Sequence, residues 1–269
     1  MTGRGLHDAL LRVLTSANLR TRLAAPGGGL DALLGAKEVA ALRGADPQRL
    51  TRLARFLGRH FYRERIVRLF AASRALARAR GQDPLGVLDG PEFAALLASA
   101  EVGAPETADR VACLVEAHAR AALDGVPWAG DLVRYEGALF RVEAGPRRWA
   151  GDERAPGGAP VRAPDARVVA LEWDVTRLVV AVRRGEDPLP VPPGTGTRLL
   201  VALAPDGRVT TVRCSDGAAR LLDACDGARS VREVAQAVGL GEDDAARVLG
   251  QLTDLGALTW VEPGAGASR

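Results

Sequence analysis

The chain has 269 residues, of which 47% are hydrophobic and 26% are charged, and its formal net charge is +3 at pH 7. These values predict a soluble globular protein with room for one large or two ordinary domains. No apolar run reaches about 18 residues, which excludes a membrane span. The three scattered cysteines exclude a disulfide framework. The N-terminal segment lacks the apolar region of a secretory signal, so we expect a cytoplasmic protein.

Residues 1–148 carry helical patterns and are predicted to form one helical domain. In the first segment, "LHDALLRVLTSANLRTRLA", leucines recur at the spacing of a helix face. Asp46 followed by Pro47 predicts the start of a long helix that can run to Gly81, since Asp accepts a capping hydrogen bond and Pro suits the first helical position. The stretch "PWAGDLVRYEGALFRVEAG" is predicted to be the last helix of this domain.

The predicted long helix carries an arginine row, whose members are spaced by three and four residues and so share one helix face. Between Arg49 and Arg80 there are ten arginines and a single acidic residue, Glu64. Such a row is typical either of a surface that follows nucleic-acid phosphates, or of a solvated face or a surface that meets an acidic partner. Proteins that bind single-stranded nucleic acid place aromatic side chains among the basic ones, and we interpret the row as lacking them, so the second alternative is favoured. The row consists of Arg52, Arg55, Arg59 and Arg63.

The stretch 149–197 is predicted to be a linker with one strand and a possible helix. Its first part, to Asp165, is rich in Gly and Pro and predicts a boundary loop. Arg167–Trp173, "RVVALEW", is the predicted strand. For residues 174–184 the valines favour a strand, whereas the preceding Asp and the following Gly bracket a helix, which we prefer.

Residues 198–262 have the pattern of a small winged-helix module, followed by a tail at 263–269. Two apolar runs flank the turn "PDG" and predict a β-hairpin. Three helices are predicted after it, and the second begins with a capping box from Ser230 to Glu233. The predicted fold class is therefore α+β, mostly α, with an N-terminal helical domain followed by a winged-helix module.

Signals for catalysis or metal binding are weak. His7, His60 and His118 lie far apart, and none is three or four residues from another His or Cys, so no ligand cluster of the usual spacing is present. We expect no cofactor in this chain and no enzymatic activity. A winged module also suggests a transcription regulator with a helical sensor domain. However, from Arg198 to Val261 there are seven arginines against nine acidic residues, which disfavours binding to DNA.

The stretch "RLLVALAPDGRVTTVRCSDGAARLLDACDGARSVREVAQAVG", with the following "ARVLGQLTDLGAL", resembles the recognition elements of ribosomally synthesised and post-translationally modified peptides (RiPPs). These are small winged-helix domains typified by the peptide chaperone of pyrroloquinoline quinone biosynthesis. The resemblance rests on the order of the hairpin and the three helices. One departure is that such domains have a three-stranded sheet, whereas here only one strand is predicted before the hairpin, separated from it by an insertion.

The helical segments "LRTRLAA", "LRGADPQRL" and "DLVRYEGALF", placed before such a module, are similar to the partner proteins of multinuclear non-haem iron oxidative enzymes. The resemblance implies a non-catalytic recognition subunit that forms a heterodimer with an iron enzyme. The helical domain would dock on that enzyme, with the arginine row as the candidate surface, and the C-terminal module would hold the precursor or carrier peptide. The iron would belong to the partner enzyme.

The predicted peptide site is the edge of the hairpin, because an exposed strand edge binds an extended peptide as an added strand. The third helix is expected to form the other wall of the groove. Of Val209 and Val212, we expect one to face the core and the other the groove. A scaffold subunit that binds no peptide is a further alternative. The candidate peptide-binding residues are Arg208, Val209, Thr210, Thr211, Val212 and Arg213 of the second strand and Arg247, Leu249 and Gln251 of the third helix.

Overall fold

The computed structural model describes residues 3–25, 29–145, 158–186 and 196–261. It has an α+β fold that is mostly helical, with small antiparallel sheets in its C-terminal part, which confirms the predicted fold class. The predicted tail at 263–269 lies outside the described residues.

The N-terminal part of the chain is helical and contains two apolar cores. The first core joins α1–α4 to the start of α5, and the second joins α5–α9. The helices are α1 Gly3–Thr15, α2 Ala17–Ala24, α3 Asp31–Leu34, α4 Ala36–Arg43, α5 Pro47–Leu69, α6 Ala71–Ala79, a 3-10 turn at Gly86–Asp89, α7 Pro91–Ala98, α8 Pro105–Ala122 and α9 Ala129–Ala144.

The long helix begins where the sequence predicts it but ends earlier. The side chain of Asp46 accepts a hydrogen bond from the backbone N–H of Gln48 at 2.9 Å, as expected of an N-cap. The helix breaks at Phe70 rather than running to Gly81, because the N–H groups that start α6 turn to a buried carboxylate on α9. Glu136 accepts those hydrogen bonds at 2.8 and 3.1 Å.

The C-terminal part contains two antiparallel sheets. In the larger sheet the strand order is β2-β3-β4, so that β3 lies in the centre. In the smaller sheet β1 pairs with β5. The elements are β1 Ala159–Arg162, β2 Arg167–Leu171, α10 Val175–Arg183, β3 Thr197–Leu203, β4 Val209–Arg213, α11 Asp216–Asp223, α12 Val231–Val238, α13 Glu242–Asp254 and β5 Leu258–Val261.

Within the stretch predicted as a linker, the described residues 158–183 form packed elements. The prediction of a single strand there is wrong, because β1 and β2 are both strands, and the preferred helix at 174–184 is present as α10. β1 escaped prediction because Pro160 lies in the middle of it and proline usually marks a turn or a sheet edge. Its strand conformation depends on distant residues: Pro160 pairs with Trp260. β2 is the predicted strand Arg167–Trp173, shorter by two residues, and it pairs with β3 to complete a three-stranded sheet.

Both faces of the larger sheet are covered. Odd-numbered residues such as Leu199 and Val201 pack with α6, α9 and α10 of the helical part. Even-numbered residues such as Leu200 pack with α11, α12 and α13. This alternation follows from the two-residue period of a strand. The sheet is therefore a middle layer that joins the helical domain to the C-terminal helices.

Candidate functional site: the outer edge of β4

The hydrogen bonds at the two ends of the hairpin set the direction of every backbone group in β4. The N–H of Ala204 donates to the carbonyl oxygen of Arg208 at 2.8 Å, and the N–H of Cys214 donates to that of Arg198 at 2.9 Å. In an antiparallel pair such hydrogen-bonded positions recur every second residue. The even-numbered residues of β4 therefore turn their backbone groups towards β3.

The odd-numbered residues of β4 turn their backbone groups the other way, towards the outside of the sheet. These residues are Val209, Thr211 and Arg213. β4 is the last strand in the order β2-β3-β4, and among the described strands none pairs with its outer side. The structure thus places an open strand edge where the sequence predicts a peptide site. It also assigns the outward N–H to Thr211 and the inward one to Thr210.

The opposite edge of the same sheet is occupied by side chains of α9. Arg134 donates to the carbonyl oxygen of Ala170 at 2.9 Å, on the outer side of β2. Next to it, Asp131 accepts from the N–H groups of Glu172 and Trp173 at 2.6 and 2.9 Å. Asp131 is only 6% exposed and also pairs with Arg134. Capping an edge with side chains prevents it from pairing with another chain, so the two edges differ in availability.

Among the described residues, both faces of β4 pack against apolar cores. Val209 packs against the core shared with α9 and α10, and Val212 packs against the core of the C-terminal helices. The expectation that one of these valines faces the core and the other a groove is therefore wrong. The physical reason is that the helical domain covers the sheet face that an isolated winged module would leave free. The available surface is the edge itself.

The two arginines at the ends of β4 are exposed but already have carboxylate partners. Arg208 bonds to Asp206 in the hairpin turn, with Nε 2.7 Å from Oδ2, and this hydrogen bond lowers the pKa of Asp206. Arg213 bonds to Asp174 at 3.0 Å, just before α10. Thr210 donates its hydroxyl hydrogen to the carbonyl oxygen of Ala202 at 3.3 Å, which closes the hairpin.

Of the three residues predicted to form a wall on the third helix, two are exposed. Arg247 and Gln251 are exposed on α13, and Arg247 bonds to Asp244 at 2.6 Å. Leu249 is 0% exposed and lies in the core between the sheet and the C-terminal helices. It cannot contact a peptide. The buried residues of this helix are Ala245, Leu249 and Leu252, so Leu249 belongs to the core side of α13 and not to an exposed wall.

The arginine row lies on α5, all of it exposed, and on a different element from the β4 edge. Arg59 and Arg63 both bond to the same carboxylate, that of Asp89, and Arg63 lies 2.7 Å from it. Hydrogen bonds from Arg63 and then from Arg59 lower the pKa of Asp89. For Arg52 and Arg55, no salt bridge with a described carboxylate is formed.

The sequence interpretation overlooked two features. Phe56 lies within the arginine row and is 67% exposed, so the row does contain an aromatic side chain. The signal was available, because Phe56 is four residues after Arg52 and three before Arg59, the spacing of neighbours on one helix face. The Asp131 contact had no comparable signal, since it joins residues some forty positions apart.

Within the described parts of the chain, no cluster of three or more His, Cys, Asp or Glu side chains has the geometry to hold a metal ion. The thiols of the C-terminal module are buried, and burial raises the pKa of Cys225 to about 12. None of the described helices combines the length and apolar character needed to cross a membrane. Comparison with known protein families and with curated proteins finds no match to this chain.

Proposed function

We propose that the chain is a non-catalytic subunit that binds a ribosomal precursor or carrier peptide and presents it to an iron-dependent peptide-modifying oxidative enzyme. The observation that carries this proposal is the difference between the two sheet edges. Arg134 bonds to the outward carbonyl of Ala170 on β2 and Asp131 to the N–H groups just after that strand, while among the described strands none pairs with the outward groups of β4. The resemblance to RiPP recognition elements supplies the kind of ligand.

The proposed mode of binding is addition of the peptide as a fourth strand beside β4. Each new main-chain hydrogen bond contributes about 0.5–1.5 kcal/mol, which gives affinity that depends little on the peptide sequence. Because helices cover both faces of the sheet, the peptide is confined to the edge. Its side chains would alternate between the α9–α10 layer and the layer of C-terminal helices.

Selection among peptides would come from exposed side chains rather than from the core. Arg247 and Gln251 on α13 are the candidates on one side, and Arg213 is the candidate at the end of β4. The first turn of α13 carries Glu242, Asp243 and Asp244. These acids would repel the phosphates of DNA, which favours a peptide ligand over the alternative of a transcription regulator.

The edge can be tested with synthetic peptides that cover each short open reading frame flanking the gene. Thr211→Pro removes an outward N–H and leaves the pairing of β4 with β3 intact, so we expect a folded protein with at least about tenfold weaker binding. Thr211→Ala keeps that N–H and is the matched control, expected to bind like the wild type. Thr210→Pro removes an inward N–H and is expected to destabilise the hairpin itself.

A folded Thr211→Pro variant that binds as tightly as the wild type would overturn the edge site. Hydrogen–deuterium exchange on the wild-type protein gives an independent measurement. The amides of Val209 and Thr211 should exchange more slowly when a peptide is bound, whereas those of Thr210 and Val212 should be protected in both states. Unchanged exchange at Val209 and Thr211 with a bound peptide would place the site elsewhere.

The partner enzyme is the second half of the proposal. We expect the isolated chain to carry no stoichiometric iron or zinc in metal analysis and to leave the peptide unmodified. Modification should require the enzyme and this chain together. Peptide modification by the enzyme alone at an equal rate would show that the chain is not a presenting subunit.

A further inference from the structure

The exposed side of α5 carries an apolar stripe beside the arginine row. Leu53, Phe56 and Leu57 are 41%, 67% and 37% exposed, and their spacing places them next to one another. The helical period puts the arginines on one side of Phe56 and the two leucines on the other. We call this surface, formed by the three apolar residues and the arginine row, the α5 face. Contiguous apolar surface of this kind marks interaction sites.

A pocket of about 340 Å³ lies on the arginine side of Phe56. Its floor is apolar, with Leu88, Phe93 and Leu97, and its mouth is lined by Arg55 and Arg59. This volume accommodates one or two apolar side chains of a partner. An aromatic group and arginines around a small apolar pocket are the residue types that dominate binding energy at protein interfaces.

The charges identify the occupant as acidic. Arg52 and Arg55 form no salt bridge with a described carboxylate, and Arg59 and Arg63 share the single carboxylate of Asp89. Asp89 also shows the mode of contact, a carboxylate held between two arginines one helical turn apart. A partner carboxylate would bind Arg52 and Arg55 in the same way.

Other occupants fit less well. A second copy of this chain would bring one arginine row against another, which is repulsive. Nucleic-acid phosphates and an anionic membrane would both meet the carboxylate of Asp89 at the rim of the pocket. A protein segment can place apolar side chains in the pocket and acidic ones beyond it.

We propose that the α5 face docks an acidic amphipathic segment of a partner protein, with one apolar side chain in the pocket beside Phe56 and carboxylates on Arg52 and Arg55. This inference deepens the partner half of the proposed function and is independent of the β4 edge. The two can fail separately, because the variants that test them lie on different elements.

The test uses a fluorescent amphipathic helical peptide with a Phe and Leu stripe flanked by Glu, and a twin in which every Glu is Lys. We expect the acidic peptide to bind the full chain at least about tenfold more tightly than the twin, with an affinity that falls as salt rises. Phe56→Ala and Arg55→Glu should each weaken binding at least about fivefold. Arg232→Glu, the same charge change on exposed α12, is the matched control and should bind like the wild type.

Equal binding of the two peptides, or unchanged binding in both α5 variants, would overturn the proposal. Tighter binding of single-stranded DNA or of phosphatidylglycerol vesicles than of the acidic peptide would also overturn it. A dimer that is seen in sedimentation and that Phe56→Ala dissociates would overturn it as well. A loss of acidic-peptide binding in Thr211→Pro would show that the probe occupies the β4 edge instead. If Thr211→Pro still binds the acidic peptide and Phe56→Ala does not, the α5 face is supported even if the proposed peptide site at β4 proves wrong.

Discussion

The turn that follows α13 is pressed against the end of β3, and this contact holds the third helix beside the hairpin. Gly256 has a φ of +74°, and a Cβ atom built on it would lie 2.0 Å from the carbonyl oxygen of Leu203 and 2.8 Å from its carbonyl carbon. Gly239, which ends α12, has a nearly identical φ of +73° but nothing within 4 Å of its Cβ position. Comparing an alanine substitution at each glycine therefore separates the cost of backbone strain from the cost of a steric overlap.

Gly239→Ala should lower the free energy of unfolding by about 1 kcal/mol. Ala is about 1–2 kcal/mol less stable than Gly in a left-handed conformation, but it also reduces the conformational entropy of the unfolded chain, which offsets part of that cost. Gly256→Ala carries the same strain and adds an overlap with backbone that must be relieved by moving the end of β3, which costs about 1–3 kcal/mol. That movement also weakens the hydrogen bond from Ala204 to Arg208, worth about 1 kcal/mol. We expect Gly256→Ala to be less stable than Gly239→Ala by about 2–4 kcal/mol.

Urea unfolding followed by circular dichroism measures both free energies of unfolding, and similar m-values would show that the two variants unfold over the same surface. A difference below about 0.5 kcal/mol would refute the reasoning, since it lies within the usual effect of an uninvolved surface change. It would mean that α13 is not held against β3 by this turn. Peptide binding should fall with Gly256→Ala in proportion to the unfolded fraction and be retained in Gly239→Ala.

Three further changes test the packing around the site. Asp131→Ala leaves two partly buried backbone N–H groups between β2 and α10 without their acceptor and should cost about 1–3 kcal/mol in urea unfolding. Asp109→Ala, at a half-exposed ion pair, should cost less than about 1 kcal/mol. Burial raises the pKa of Glu136 to about 7, above its usual 4.5. Its contribution to the free energy of unfolding is therefore full below pH 4.5 and is lost as the pH rises through 7. Glu136→Gln should flatten the dependence of stability on pH in this window, and an unchanged slope would contradict this prediction. Leu249→Ala should cost about 2–5 kcal/mol because it opens a cavity in the core. Gln251→Ala, on the exposed side of the same helix, should change stability by less than about 0.5 kcal/mol. Similar losses of stability in the two variants would place Leu249 outside the core.

Local signals in the sequence were sufficient for the starts of α5 and α12 and for the hairpin. The capping of α5 by Asp46 and the capping box of α12 depend on neighbouring residues, and both are present in the structure. The "PDG" turn likewise fixes the hairpin from within. The open edge of β4 follows from these local features, which is why its residues could be predicted.

Contacts between distant residues account for what the sequence did not reveal. β1 contains Pro160 and is a strand only because β5 lies beside it, about a hundred residues later in the chain. The break between α5 and α6 depends on the carboxylate of Glu136. The burial of Leu249 depends on how α13 is rotated against the sheet, which a short apolar pattern with neighbouring valine and leucine residues does not fix.

The helical domain also determines which edges of the larger sheet stay open, and so would shape the proposed peptide site. A winged module limited to 198–262 would lack β2, and the side of β3 that pairs with β2 would become a second open edge. It would also expose the apolar face of Leu199, Val201 and Leu203, which packs on α9 and α10. An edge of that kind next to an apolar face favours aggregation. By covering this face and capping the edge of β2 through Asp131 and Arg134, α9 leaves β4 as the one edge of the larger sheet, within the described residues, that an extended peptide can join.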